Sequence, residues 1–217
     1  MSNLQRWREN RAMKEGMRLC KEPLSGVGFD TWGVDCGMID REGNLLGMPG
    51  SYRDAALDEE NMNDVLASLV PEEQDRDKAV KAGEKYAFEQ TGIASLAYNT
   101  LYKLCYLNKA MPEQMAAADK LLFMPNLIEY LFSGVVHSEY SIASTSQLLD
   151  MKEKKWASEL IRKAGIDPKL LAPLDYAGKD LGPLRPEIAK EVGQENLHIL
   201  SVSGHDTACA VAAVPAR

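Results

Sequence analysis

Apolar side chains recur among charges between residues 3 and 20, at Leu4, Trp7, Met13, Met17 and Cys20, which predicts an amphipathic helix with one modest apolar face. After Pro23 the pattern changes. Gly26 to Ile39 reads as extended chain rich in glycine, Asp40 to Asn44 as a hairpin turn, and Leu45 to Pro49 as a returning strand. From Asp58 to Glu89 charged helix formers dominate, broken at Val70-Pro71, and the nearly all-polar stretch from Glu72 to Lys85 predicts a solvated surface helix. Helices are expected over 99–110, 112–120 and 126–132, the last ended by Ser133-Gly134, with Leu121 to Pro125 a short apolar stop before it. A helix from Trp156 to Ala164 ends at Gly165, and the proline- and glycine-rich residues 167–187 read as a long connecting loop. Finally Leu197 to Val202 forms an apolar strand, and a small-residue turn leads into an alanine-rich helix that stops at Pro215. The order is that of an α/β protein: a glycine-rich sheet first, helices in the middle, and a last strand feeding a last helix.

Composition narrows the function more than the fold. The 217 residues are 45% apolar, enough for a buried core, and carry a formal charge of −7. A sequence-independent nucleic-acid surface is therefore not expected, although phosphates can still be held by backbone N–H groups. Cys20, Cys36, Cys105 and Cys209 lie far apart and form no C-x-x-C pair, so reduced thiols in a cytoplasmic protein are the plain reading. No apolar run approaches bilayer length, and the N-terminus lacks a signal-peptide core, so no membrane association is expected.

The turn Gly204-His205-Asp206-Thr207 places a carboxylate at the start of the last helix, where the helix dipole favours its anionic form. Asp206 could take a proton from a substrate hydroxyl, or it could be a structural N-cap; spacing alone favours the cap. His205 could donate to a substrate oxygen or be an ordinary turn residue. A His-Asp pair also suits metal-dependent phosphohydrolases, but His137 and His198 stand in no ligand-like arrangement, and no metal site is expected. In Gly28-Phe29-Asp30-Thr31-Trp32-Gly33-Val34-Asp35, strand alternation would set Asp30, Trp32 and Val34 on one face and Thr31, Gly33 and Asp35 on the other. Two acids there hint at a polar cleft: Gly33 would let a ligand approach the backbone, and Trp32 would supply an apolar wall. A packed hairpin explains the same residues. Arg53, in Tyr52-Arg53-Asp54, could hold a hydroxyl or carboxylate, or form a surface ion pair, the safer reading. Asn99 is expected to cap the helix it begins, and Asn99 and Thr100 could instead bind sugar hydroxyls.

Taken in order, these segments resemble the FGGY family of carbohydrate kinases, and within it the rhamnulokinase branch. The matching pieces are Gly28 to Asp35, Tyr52 to Asp54, Thr91 to Ile93 with Asn99 to Tyr102, Leu122 to Leu127, Ala143 to Leu148, and His205 to Ala208 running on to Pro215. The resemblance implies a ribonuclease-H-like, actin-type ATPase domain, incomplete, and transfer of the ATP γ-phosphoryl group to O1 of L-rhamnulose or a similar ketose. Asp206 matches the family's proton acceptor, and Gly33, His205 and Thr207 match sugar-contacting positions. ATP and magnesium are expected for the complete enzyme, but the family's Asp-x-Gly-x-(Ser/Thr) hairpin and second lobe are not in this chain. Ala56 also stands where the family usually has a further arginine. Residues 1–217 are accordingly expected to form the sugar-binding N-terminal lobe, truncated at both ends, inactive alone, with a missing C-terminal lobe or self-association supplying its partner surface. A silent carbohydrate-binding or interaction module derived from such a kinase is the alternative.

Overall fold

The computed structural model describes residues 11–20 and 24–215. The first helix is described from Arg11 to Leu19; the rest of the expected 3–20 element lies outside the described residues apart from Cys20. An ion pair from Lys14 to Glu191, 2.7 Å long, links it to the helix Pro186–Val192.

Four small sheets among the described residues set the frame. Gly26–Val27 runs parallel to His198–Ser201, pairing Gly26 with His198 and Val27 with Ile199, and Lys179–Pro183 lies antiparallel on the other side of that central strand. Cys36–Ile39 pairs antiparallel with Lys120–Phe123, Cys36 opposite Phe123 and Ile39 opposite Lys120. Two shorter pairs, Ser138–Glu139 with Leu174–Asp175 and Leu149–Asp150 with Lys155–Trp156, tie loops to the body. The main core gathers Leu66, Leu101, Tyr102, Leu104, Phe123, Ile142, Leu148 and Leu160, all fully buried. A separate cluster of Phe132, Leu181, Ile188, Leu197 and Ile199 backs the three-stranded sheet, with Phe29 stacked on Phe132 at 5.4 Å between centroids.

The expected strand from Gly26 to Ile39 is broken. Residues between Val27 and Cys36 are irregular, and Val34 takes a left-handed φ of 62°. The predicted alternation fails with it: the Trp32 indole and the Asp35 carboxylate meet instead of facing apart. A branched residue is costly in that conformation, and it is held by bonds at both ends of Val34. Its N–H donates to Thr145 Oγ1 at 2.9 Å, and its carbonyl accepts from Thr100 Oγ1 at 2.9 Å.

The hairpin after Ile39 forms at Asp40 to Asn44, with Gly43 at φ 81°, but its return arm is reduced to isolated bridges at Leu45 and Gly50. Leu121 to Phe123 belong to a buried strand, not to a stop; the run is too short and too uniformly apolar for periodicity to decide. The Trp156–Ala164 helix starts at Ser158, because Lys155 and Trp156 are used as strand. Residues 167–187 are not a plain loop: they hold a 3-10 turn at Pro168–Leu170, the strands at Leu174–Asp175 and Lys179–Pro183, and the start of a helix.

The polar helix Arg76–Thr91 is docked firmly. Ala79, Gly83 and Ala87 are buried at every fourth position, so a stripe of small side chains lets the helix lie against Glu59–Ser68. A methyl on Gly83 would sit 1.9 Å from the Leu66 carbonyl oxygen.

Candidate functional site

Two chain segments meet where the parallel strands end. The Thr31 N–H donates to the Gly204 carbonyl at 3.0 Å, and the Asp206 N–H donates to the Thr31 carbonyl at 2.9 Å. This bridge carries the 31–35 loop and the 204–207 turn side by side. Between them and the residues 93–99 opens a cleft of about 460 Å³. Its walls are Trp32, Gly33 and Val34 on one side, His205, Asp206 and Thr207 on another, and Tyr52, Tyr98, Asn99 and Thr145 around the rest. Five of the six expected site residues, Trp32, Gly33, His205, Thr207 and Asp206, thus share one cavity, although the two groups stand near opposite ends of the sequence.

Asp206 is the first residue of the helix Asp206–Ala212, and His205 holds the N-cap position without a capping side-chain bond. Asp206 is therefore not the N-cap residue, although its Oδ1 accepts from a free N–H of the first turn, that of Thr207, at 2.7 Å, and from the Thr207 hydroxyl at 3.3 Å. His205 Nε2 lies 3.6 Å from the same oxygen. Among the described residues no donor reaches Oδ2, and the side chain is 54% exposed, so one oxygen of an oriented carboxylate is available to a ligand.

Gly33 is needed for packing. A methyl placed there would lie 2.9 Å from Thr145 Cγ2 and 3.1 Å from Thr145 Cβ. The glycine allows Thr145 to approach, and Thr145 in turn holds the Val34 N–H. Asn99 stands at the N-cap position of Thr100–Ala110 but its side chain does not cap the helix. Buried, it cross-braces the cleft: Oδ1 accepts from the Leu96 N–H at 2.7 Å, and Nδ2 donates to the Thr145 carbonyl at 2.9 Å.

Arg53 is not on the cleft wall. Its Nε donates to the Tyr52 hydroxyl at 3.0 Å and its guanidinium lies 5.3 Å from that ring's centroid, with no carboxylate paired to it among the described residues. Arg53 therefore reaches the site through Tyr52, which meets Tyr98 edge-on at 6.1 Å. Tyr52, Tyr98 and Thr145 were not foreseen as wall residues. Tyr52 adjoins Arg53 in sequence and Thr145 lies in the matching piece Ala143 to Leu148, but its place in the wall depends on the long-range approach to Gly33.

The wall carries aromatic faces, hydroxyls, an amide and an imidazole, with no lysine or arginine and Asp206 as its single carboxylate among the described residues. Aromatic faces and neutral hydrogen-bonding groups suit a polyol. A triphosphate would find no cationic side chain on this wall. Nor does the donor set by itself fit magnesium, which takes its ligands from several oxygens; among the described residues no three His, Cys, Asp or Glu side chains gather to hold an ion.

A model of the FGGY family of carbohydrate kinases, N-terminal domain, matches residues 71–213, well over half of the chain. The chain belongs to this family. It is 33% identical over 195 residues to a rhamnulokinase of Bacteroides thetaiotaomicron, covering 90% of this chain and 37% of that protein. Among solved structures it resembles xylulose kinase from Rhodospirillum rubrum with a TM-score of 0.76 at 19% identity, over 98% of this chain and 42% of that one. Gluconate kinase from Lactobacillus acidophilus gives a TM-score of 0.72 at 15% identity, over 89% of this chain and 36% of that one. These likenesses establish the ribonuclease-H-like, actin-type fold expected of an FGGY kinase. The chain spans little more than a third of the length of the rhamnulokinase it matches. No helix among the described residues is long and apolar enough to cross a membrane.

Proposed function

We propose that this chain is the sugar-binding part of a rhamnulokinase-like FGGY kinase. Its cleft would hold a ketose, L-rhamnulose first among candidates, and Asp206 would accept the proton of the hydroxyl to be phosphorylated. The observation that carries the reading is the free Oδ2 of Asp206 on a wall that offers polyol partners and no cation. Sequence likeness to rhamnulokinases favours L-rhamnulose; the structural likeness extends to xylulose and gluconate kinases, which the choice of sugar must be tested against.

In the complete enzyme Asp206 would accept the proton of the sugar's O1 hydroxyl, and ATP, held by other parts of that enzyme, would supply the phosphoryl group to that oxygen and depart as ADP. Phosphoryl transfer depends mainly on positioning and charge neutralisation, so one oriented carboxylate is enough for the proton. The parts that bind ATP and magnesium lie, in this reading, outside the 217 residues, which by themselves bind sugar without turning it over.

Calorimetric titration of L-rhamnulose, D-xylulose, gluconate and glycerol, each with and without ATP, tests this. The expected result is binding of L-rhamnulose in preference to the others, unchanged by ATP. Asp206→Asn puts a donor where the sugar hydroxyl needs an acceptor, and should weaken binding about tenfold or more, the worth of a hydrogen bond to a charged group. Absence of binding by any of the four, or rhamnulose-dependent ATP consumption in a coupled assay of this chain alone, would refute the reading in its present form.

A further inference from the structure

We propose that Asp35, backed by Lys103, is a positioning residue that fixes the Trp32 indole as a wall of the sugar cleft. This rests on the sugar-site reading given above. The Trp32 Nε1–H donates to Asp35 Oδ2 at 2.7 Å, and the other oxygen, Oδ1, accepts from Lys103 Nζ at 2.7 Å. Asp35 is 4% exposed and Lys103 2%, whereas Trp32 is 47% exposed. A buried ion pair therefore ends on a half-exposed ring that lines the cleft.

The three donors of the ammonium are all used. Besides Asp35, Lys103 Nζ lies 2.9 Å from the Gly50 carbonyl and 3.4 Å from that of Val34. The relay thus runs from the helix Thr100–Ala110 through two charged side chains to the indole, and also grips the backbone of the loop it serves. That loop is closed tightly: the Asp35 N–H donates to the Gly33 carbonyl at 2.8 Å, across the left-handed Val34. The fold brings Trp32 and Asp35 together, although a regular strand would have set them on opposite faces.

Stability alone is a weak reason to keep such a pair, because well-packed apolar residues commonly replace buried ion pairs at little cost. Orientation of Trp32 is a better one. Without its partner the indole would turn among rotamers in water; a charge-assisted bond holds it in one. The two acids of the glycine-rich segment then differ in role. Asp30 is exposed, and Asp35 works from behind the wall.

The test uses the full chain and two readouts. Asp35→Leu with Lys103→Met removes the pair without leaving a buried charge, and Asp35→Asn with wild-type Lys103 is a second variant in case the first fails to fold. The ¹H–¹⁵N resonance of the Trp32 indole, assigned through Trp32→Phe, is read without sugar; L-rhamnulose affinity is read by titration. The expected outcome is a shift of the indole resonance toward that of solvent-exposed tryptophan, and a loss of affinity of about three- to tenfold, the scale of one aromatic contact. Adding Trp32→Phe to the variant should cause no further loss, which a general weakening of the fold would not predict. An unchanged indole resonance, or wild-type affinity in a folded variant, overturns the proposal. If the wild-type chain binds no sugar while the indole shift occurs, the cleft reading fails and the role in sugar binding falls with it.

Discussion

Gly33 and Thr145 illustrate how the cleft is made at the residue scale. Hydrogen at position 33 leaves space that Thr145 occupies, and Thr145 then anchors Val34 in its left-handed turn. Gly33→Ala should destabilise the chain by about 1–3 kcal/mol, the usual cost of overpacking, and should abolish ketose binding. Because the contact at 2.9 Å is to Thr145 Cγ2, adding Thr145→Ser should restore part of both, as thermal melts and titration would record. A double variant no better than Gly33→Ala would mean that the alanine acts elsewhere. Much of the candidate site was legible in the sequence: Trp32, Gly33, His205, Asp206 and Thr207 stand in two short motifs and line one cavity. The role of Gly33 toward Thr145 was not legible, since a glycine's missing methyl does not say which distant side chain fills the space. Asn99 was misread for a similar reason, its amide being taken by Leu96 and Thr145 across the cleft and not by its own helix.

Among the elements, the helices were the more readable. Their ends are marked by Gly92 and Gly134, both left-handed, and the start of Pro112–Ala117 by its proline; Pro186–Val192 also begins at a proline, but the proline- and glycine-rich stretch before it reads as loop and hides it. The strands were less so, being two to five residues long, too short to show a period of two. The stretch from Glu72 to Lys85 predicts a solvated helix; the helix that forms, Arg76–Thr91, starts and ends later and keeps its charges outward, and what charge patterning conceals is the buried stripe of Ala79, Gly83 and Ala87. Gly83→Ala should lower the melting temperature, costing about 1–3 kcal/mol or more, because the obstructing atom is the backbone carbonyl of Leu66. An unchanged melting temperature would show that this helix packs less closely than the geometry requires.

For the whole molecule, family membership was readable because motifs spread from Trp32 to Thr207 converge on one fold and one cleft, and the α/β order followed from the alternation of elements. Chemistry at the thiols follows from burial. Desolvation pushes Cys36 up to about 11 and Cys105 to about 12, from an ordinary value of 9.0, while Cys20 is exposed. A thiol reagent at pH 8 should therefore modify Cys20 quickly, and Cys36 and Cys105 only on unfolding. Since both buried thiols hold their protons longer in the folded state, their contribution to stability is full below about pH 9 and is lost as pH rises through about 11 to 12. Alkaline melts should show a decline in that window, to which Tyr102, pushed up to about 12 by burial, also contributes, and Cys36→Ala with Cys105→Ala should make it shallower. The central claim, that the cleft between the 31–35 loop and the 204–207 turn is a sugar site, is tested most directly by amide chemical-shift mapping with L-rhamnulose. The account predicts shifts concentrated at Gly33, Val34, Asn99, Thr145, His205, Asp206 and Thr207 without nucleotide. Shifts centred instead on the separate cavity lined by Met38, Gly47, Gly50, Ser51 and Gln114, or no shifts at saturating sugar, would contradict it.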